Sequence, residues 1–156
     1  HVVSESAAGN LERTNKTIKN NLKTWINSYR MINDTIDILD ARIINIGVNF
    51  LIAAQPNTDK FQVLDRAKLS LRRRFFTLFE IGESINIPNL YRVLNLVPGV
   101  ADTVNITLTR QFGPNYSAVD YSINDGLSSD GRFLLAPKDS IFEVKFLDSD
   151  IKGAVR

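Results

Sequence analysis

The run IINIGVNFLI, residues 43–52, limits what this chain can become more than any other stretch. Ile44, Ile46, Val48, Phe50 and Ile52 alternate with Asn45, Gly47, Asn49 and Leu51. A period of two, with β-branched residues dominating one side, is a strand with one buried face. Five such side chains contribute about 1.5–3 kcal/mol each on burial, before conformational entropy is subtracted. A strand this apolar on one side requires a second layer to cover it.

The rest of the chain supplies that layer. Leu11, Ile18, Leu22, Trp25, Ile26 and Tyr29 fall at steps of three, four and seven, which predicts a helix capped by Asn10. Its other side carries Lys16, Lys19, Asn20, Lys23 and Asn27, and NDT at 33–35 predicts a turn after it. QPNT at 55–58 breaks the strand. Asn57 or Thr58 is then expected to cap a helix over 59–80, with Leu64, Ala67, Leu71, Phe75 and Leu78 inward. Gly82 reads as its left-handed terminal residue. Residues 83–87 read as extended. A short helix follows from Pro88, with Leu90, Tyr91, Leu94 and Val97 as its apolar edge. Pro98 stops that helix, and Gly99 permits the reversal into a second strand. There Val104, Ile106 and Leu108 oppose Asn105, Thr107 and Thr109. Residues 112–131 read as a long loop, or as a hairpin made by YSAVDYSI. A last strand over 140–147 sets Phe142, Val144 and Phe146 against Ile141, Glu143 and Lys145.

This order predicts an α+β fold: a small two-layer sandwich whose three- or four-stranded sheet is covered by helices on one face, with an N-terminal helix. We divide the chain into an N-terminal extension and helix, 1–35, suited to inter-subunit contact, and an α+β assembly domain, 36–156, with an inserted loop at 112–131. A chain of 156 residues, 44% hydrophobic, is long enough to bury about 70% of its unfolded surface. Its first residue, His rather than Met, leads us to expect a processed chain or a fragment of a longer one.

Composition removes most catalytic chemistry. There is no cysteine, and the single histidine is His1, so thiolate sites and a histidine base in the folded body are excluded. No phosphate-cradling glycine motif and no GxSxG nucleophile elbow occurs. Asp34, Asp37 and Asp40 cluster, as do Asp120, Asp125 and Asp130, but neither set has the spacing of a calcium loop or of a carboxylate pair across a cleft. Solvated turns account for both, and we expect no metal and no cofactor. The sequons at Asn15, Asn33, Asn105 and Asn115 read as chance matches in an Asn-rich chain. No run approaches 18 apolar residues, so no spanning helix is expected. The net charge of +2 gives little reason to expect nucleic acid. Arg72, Arg73 and Arg74 are the one concentrated charge, but consecutive helical residues point about 100° apart and do not share one groove. They read as a solvated or ion-paired face, or as a protein contact.

The run LKTWINSYRMINDTIDILDARIINIGVNFLIAA, the amphipathic helix after it, and IGESINIPNLYRVLNLVPGVADTVNITLTR together carry a pattern. Its positions are Ile36, Ile38, Asp40, Ile43 and Ile46, then Ile81, Gly82 and Ile85, then Val97, Gly99, Val100 and Val104. Over residues 20–110 this resembles the C-terminal part of phage baseplate wedge proteins, the baseplate J-like family and large wedge subunit of contractile-tailed phages. The resemblance implies a non-enzymatic virion component that assembles with other wedge subunits, copies of itself included, around the tail hub, after passing through the host cytoplasm. It implies no small-molecule substrate and no membrane partner, and it transfers no active-site residues. Candidate interface residues are Trp25 and Tyr29 on the first helix, Arg72, Arg73 and Arg74 on the second, and Asn45, Asn49, Asn105 and Thr107 on the outer strand faces. The alternatives are a ferredoxin-like module with a ligand at its sheet edge, and an RNA-binding module using Arg72–Arg74.

Overall fold

The computed structural model describes residues 1–29 and 35–156. The elements are β1 (Ser4–Glu5), β2 (Leu11–Glu12), α1 (Lys16–Asn27), β3 (Arg42–Ala54), α2 (Lys60–Phe76) and β4 (Ile85–Asn86). They continue with α3 (Ile87–Asn95), β5 (Val100–Arg110), α4 (Ile123–Gly126), β6 (Phe133–Leu134), β7 (Ser140–Glu143) and β8 (Ile151–Val155). The turn predicted at 33–35 lies largely outside the described residues.

β3 is the central strand, and Ile44, Ile46, Val48, Phe50 and Ile52 are all buried, as their alternation predicts. β5 pairs with one edge of β3, antiparallel, from Ile46 opposite Arg110 to Ala54 opposite Val100. The other edge is filled end to end by two short parallel strands. β7 runs along Arg42–Asn45 and β8 along Val48–Ile52. The sheet is therefore mixed and four-stranded, and the fold is α+β.

α2 lies against β8 and β3, α3 lies against β5, and the two helices touch each other. Val63, Ala67, Leu71 and Phe75 form the buried stripe of α2, with Leu90 and Leu94 from α3. Asp59, rather than Asn57 or Thr58, caps α2: its carboxylate accepts the N–H groups of Phe61 and Gln62. Asn57 instead takes a positive φ in the preceding turn. α2 also stops at Phe76, short of residue 80, and Leu78 is exposed. Gly82, at φ +80°, therefore serves a later turn, in which its N–H donates to the Ser140 carbonyl at the start of β7. Asn86 caps α3 through the Asn89 N–H. At Gly99 the chain reverses with φ +95° against the side chain of Val63.

Four further expectations are corrected. The first helix starts at Lys16, capped by Asn15, not at Leu11 after Asn10. Leu11 belongs to a β1–β2 hairpin and is buried in the core. In β5 the register shifts between Asn105 and Thr103, so Val104 is an extra residue on its strand. Thr103 takes the buried place that alternation assigns to Val104, and its hydroxyl hydrogen-bonds the Asn95 side-chain oxygen at 2.5 Å. The strand expected over 140–147 ends at Glu143, and β8 is an additional strand. Finally, YSAVDYSI forms no hairpin. Tyr121 donates to the Leu135 carbonyl at 2.6 Å, and Val119, Ile123 and Leu127 pack against the core.

Residues 1–12 dock on the same packed body as the sheet. Val2 bridges Asp40, and the Leu11 N–H donates to the Glu143 carboxylate. α1 differs: it buries no residue.

Candidate interaction surfaces

α1 turns Ile18 and Trp25 of its apolar stripe to solvent, while Leu22 and Ile26 are half-buried. Ile18, Trp25 and Tyr29 are 54%, 62% and 76% exposed, and the Trp25 and Tyr29 rings sit 5.1 Å apart. The basic side of the helix is the side tied to the domain. Lys19 Nζ lies 2.9 Å from the Asp40 carboxylate, and Lys23 Nζ lies 3.6 Å from that of Asp37. Asp40 is held below the ordinary carboxylate range, chiefly by the hydrogen bond from Lys19. Isolated helices shorter than about 12–15 residues are marginal in water, so these tethers, the Asn15 cap and the half-buried Leu22 and Ile26 hold α1 in place.

The outer sheet face divides in two. Asn49, Asn105 and Thr107 are exposed, as expected, and Asn49 stands directly opposite Thr107. With Lys152 beside Asn49, these residues give an open polar surface across three strands. Asn45 is not part of it. Its side chain is buried, donating to the Glu143 carboxylate at 2.7 Å and accepting the Ser117 N–H at 2.7 Å. Glu143, also buried, accepts the Leu11 N–H through its other oxygen at 2.5 Å. Asn45 and Glu143 thus join the hairpin, the central strand, β7 and the 112–121 segment. Alternation placed both residues on the outer face. It carries no signal for the distant segments that cover that end of the sheet.

The three arginines diverge. Arg72 reaches Asp148 at 2.8 Å, Arg73 is exposed, and the Arg74 guanidinium lies 5.5 Å from the centre of the Phe79 ring. They form no common basic face.

Beside them is a groove of about 530 Å³ between α2, the hairpin and the 144–149 segment. Its floor is Phe75 and Phe79; its exposed apolar rim is Phe76, Leu78 and Phe146. Glu5 and Asp148 add acidic groups, and Lys145 a basic one. The sequence held a signal for it. Phe75 and Phe76 are adjacent on a helix and cannot both face the core, so one must point outward. Tyr116 closes the far side of the 144–149 segment, stacking edge-on to Phe146 and donating to the Asp150 carboxylate at 2.7 Å. Burial first, then that carboxylate, raises the Tyr116 hydroxyl above its ordinary pKa.

Among the described residues no cluster of histidine, cysteine, aspartate or glutamate has the makings of a metal site, and no helix is long and apolar enough to cross a membrane. The geometry leaves exposed apolar residues at α1, an open polar sheet face and the groove beside α2. No known protein family matches the chain, and no curated protein matches it in sequence.

Proposed function

We propose that this chain is a structural assembly module of a contractile phage tail baseplate, binding neighbouring wedge subunits rather than transforming a substrate. The observation that carries the reading is α1: a helix tethered by its lysines, with Ile18, Trp25 and, just past its C-terminal end, Tyr29 turned to solvent. Trp and Tyr are enriched at interface hot spots, and the exposed Trp25–Tyr29 ring pair at the C-terminal end of α1 is an anchor without a socket in its own domain. The open row of Asn49 and Thr107 beside Lys152 adds a flat surface rich in hydrogen-bonding groups. The resemblance over residues 20–110 supplies the assembly, the virion location and the wedge partners. That span runs from α1 through β3, α2 and α3 to the end of β5.

The test is a reconstruction of the tail particle that contains this chain. The reading expects α1 and the outer sheet face against other subunits, with total buried area above about 1,000 Å². A particle in which the chain touches no other subunit refutes it, as does substrate turnover abolished by replacing one acidic side chain.

A further inference from the structure

We propose that the free edge of β5 is a strand-addition site, which takes one extended segment of another polypeptide into a groove lined by α3 and α4. The site is separate from α1 and from the groove beside α2, and it does not depend on the baseplate reading. β5 has 11 residues and pairs on one side only, with β3. The Gln111 N–H donates to the Asn45 carbonyl, and these two residues continue the β3–β5 register. In an antiparallel ladder, bonded pairs alternate with unbonded ones. Gly47–Thr109, Asn49–Thr107 and Leu51–Asn105 are therefore the bonded pairs, and Ile106, Leu108 and Arg110 aim their N–H and C=O groups away from β3. Tyr91 shows the same direction: its hydroxyl accepts the Ile106 N–H at 3.1 Å. Among the described residues, nothing bonds the main-chain groups of Leu108 or Arg110, or the Ile106 carbonyl. Exposed edges are ordinarily blunted by charge or proline, yet Asn105–Thr109 holds neither.

Ile106–Leu108 lines a groove of about 360 Å³. Ile87, Pro88 and Tyr91 of α3 line it too, with Ile123 of α4 and Leu127 just after it. Main-chain chemistry selects the occupant. Vacant donors and acceptors at every second residue of an extended edge match another extended main chain about 4.8 Å away. They do not match a helix, whose own N–H and C=O groups are bonded internally. A second copy's β5 carries the same two helices beside its edge, so two copies would meet helix to helix before their strands could pair. A single segment without flanking helices has no such obstacle. The residue it sets opposite Leu108 exchanges two hydrogen bonds with it and turns its side chain to the same buried side. An apolar side chain there meets Ile87, Pro88 and Leu127. Main-chain bonds then supply affinity, and that one pocket supplies selectivity.

A yeast-displayed library of random octapeptides, selected on the folded chain, supplies the probe, and amide hydrogen exchange with the tightest synthetic peptide locates it. The Leu108 and Arg110 amides are expected to slow at least about tenfold, and those of Thr107 and Thr109, already bonded to β3, to change little. N-methylation scanned along the peptide should weaken binding about tenfold at every second residue and little in between. Tyr91→Phe, shown folded by its thermal midpoint, frees the Ile106 N–H. That amide should exchange fast in the free variant and slowly with the peptide bound. A library that yields no octapeptide above background overturns the proposal. So does a peptide that binds without slowing Leu108, or whose N-methyl scan lacks the alternation, or that leaves Ile106 fast in Tyr91→Phe. A concentration-dependent dimer in sedimentation velocity, with Leu108 slowed in the absence of peptide, would assign the edge to a second copy and also overturn it. None of these results touches the assembly reading, which falls only to a particle without contacts or to turnover.

Discussion

Replacing Gly99 by alanine tests the helix-to-strand junction directly. Gly99 holds φ +95°, and a Cβ there would lie 2.6 Å from Cγ2 of Val63, a buried residue of α2. Two costs are separable. A left-handed backbone at a residue with a Cβ costs about 1–2 kcal/mol. Forcing a methyl into a packed side chain costs about 1–3 kcal/mol more. The reduced freedom of the unfolded alanine chain offsets about 0.4–1 kcal/mol. The net loss is about 1–4.6 kcal/mol, or roughly 2–18 °C in thermal midpoint for a chain of this length. Gly131 is the internal control: it has φ +68°, but nothing lies within 4 Å of an added Cβ. Gly131→Ala should therefore show only the backbone part, about 0–1.6 kcal/mol. Urea unfolding of the two variants measures the difference, which is the Val63 contact. Adding Val63→Ala to Gly99→Ala should be less damaging than the sum of the two single changes, because the shorter side chain makes room. Equal losses in Gly99→Ala and Gly131→Ala would refute this account of the junction.

Glu143→Ala should remove the acceptor of both the Leu11 N–H and the Asn45 amide, costing about 2–5 kcal/mol. Limited proteolysis should then cut the β1–β2 hairpin before the rest of the chain. Ile106→Ala should cost about 2–4 kcal/mol and Val104→Ala under about 1 kcal/mol, although both belong to one apolar alternation, because the bulge turns Val104 away from the core; comparative urea unfolding checks the order. The Lys19–Asp40 tether should depend on pH below the neutral range. The folded carboxylate is depressed beneath its ordinary value of 3.8, with Lys19 and Arg13 as the facing cations, so the tether is fully present above that value and is lost as pH falls through the lower folded one. Trp25 fluorescence anisotropy should be flat from neutral pH to about pH 4 and fall below it. In Asp40→Asn it should already be low and should not change with pH.

Residues whose periodicity answers to one neighbouring layer were legible in the sequence. β3 shows its buried face in five alternate positions, and α2 shows Ala67, Leu71 and Phe75 at helical spacing. The misread positions are those where a distant segment decides the outcome. Asn45 faces outward by alternation, yet the hairpin and the 112–121 segment bury it there. Val104 fits the apolar pattern, yet one extra residue in β5 gives its place to Thr103, whose hydroxyl finds Asn95. β8 was hidden because IKGAV is short and has glycine at its centre. Gly153 is needed there since the Phe50 ring lies where its Cβ would be. Among the surfaces, the exposed Trp25 and Tyr29 followed from the stripe only once α1 was seen to start at Lys16, which leaves Leu11 to the core. The groove stayed unseen because three separate chain segments make its walls.

The tandem docking of β7 and β8 on a single edge of β3 has a consequence for synthesis. Val48 must find Ile151, about a hundred residues later in the chain, before that edge is satisfied. A growing polypeptide on the ribosome therefore carries its most aggregation-prone strand half-dressed until the last of these partners has emerged. Maturation of the domain is timed by the arrival of residues 140–155, whatever the order in which the helices form.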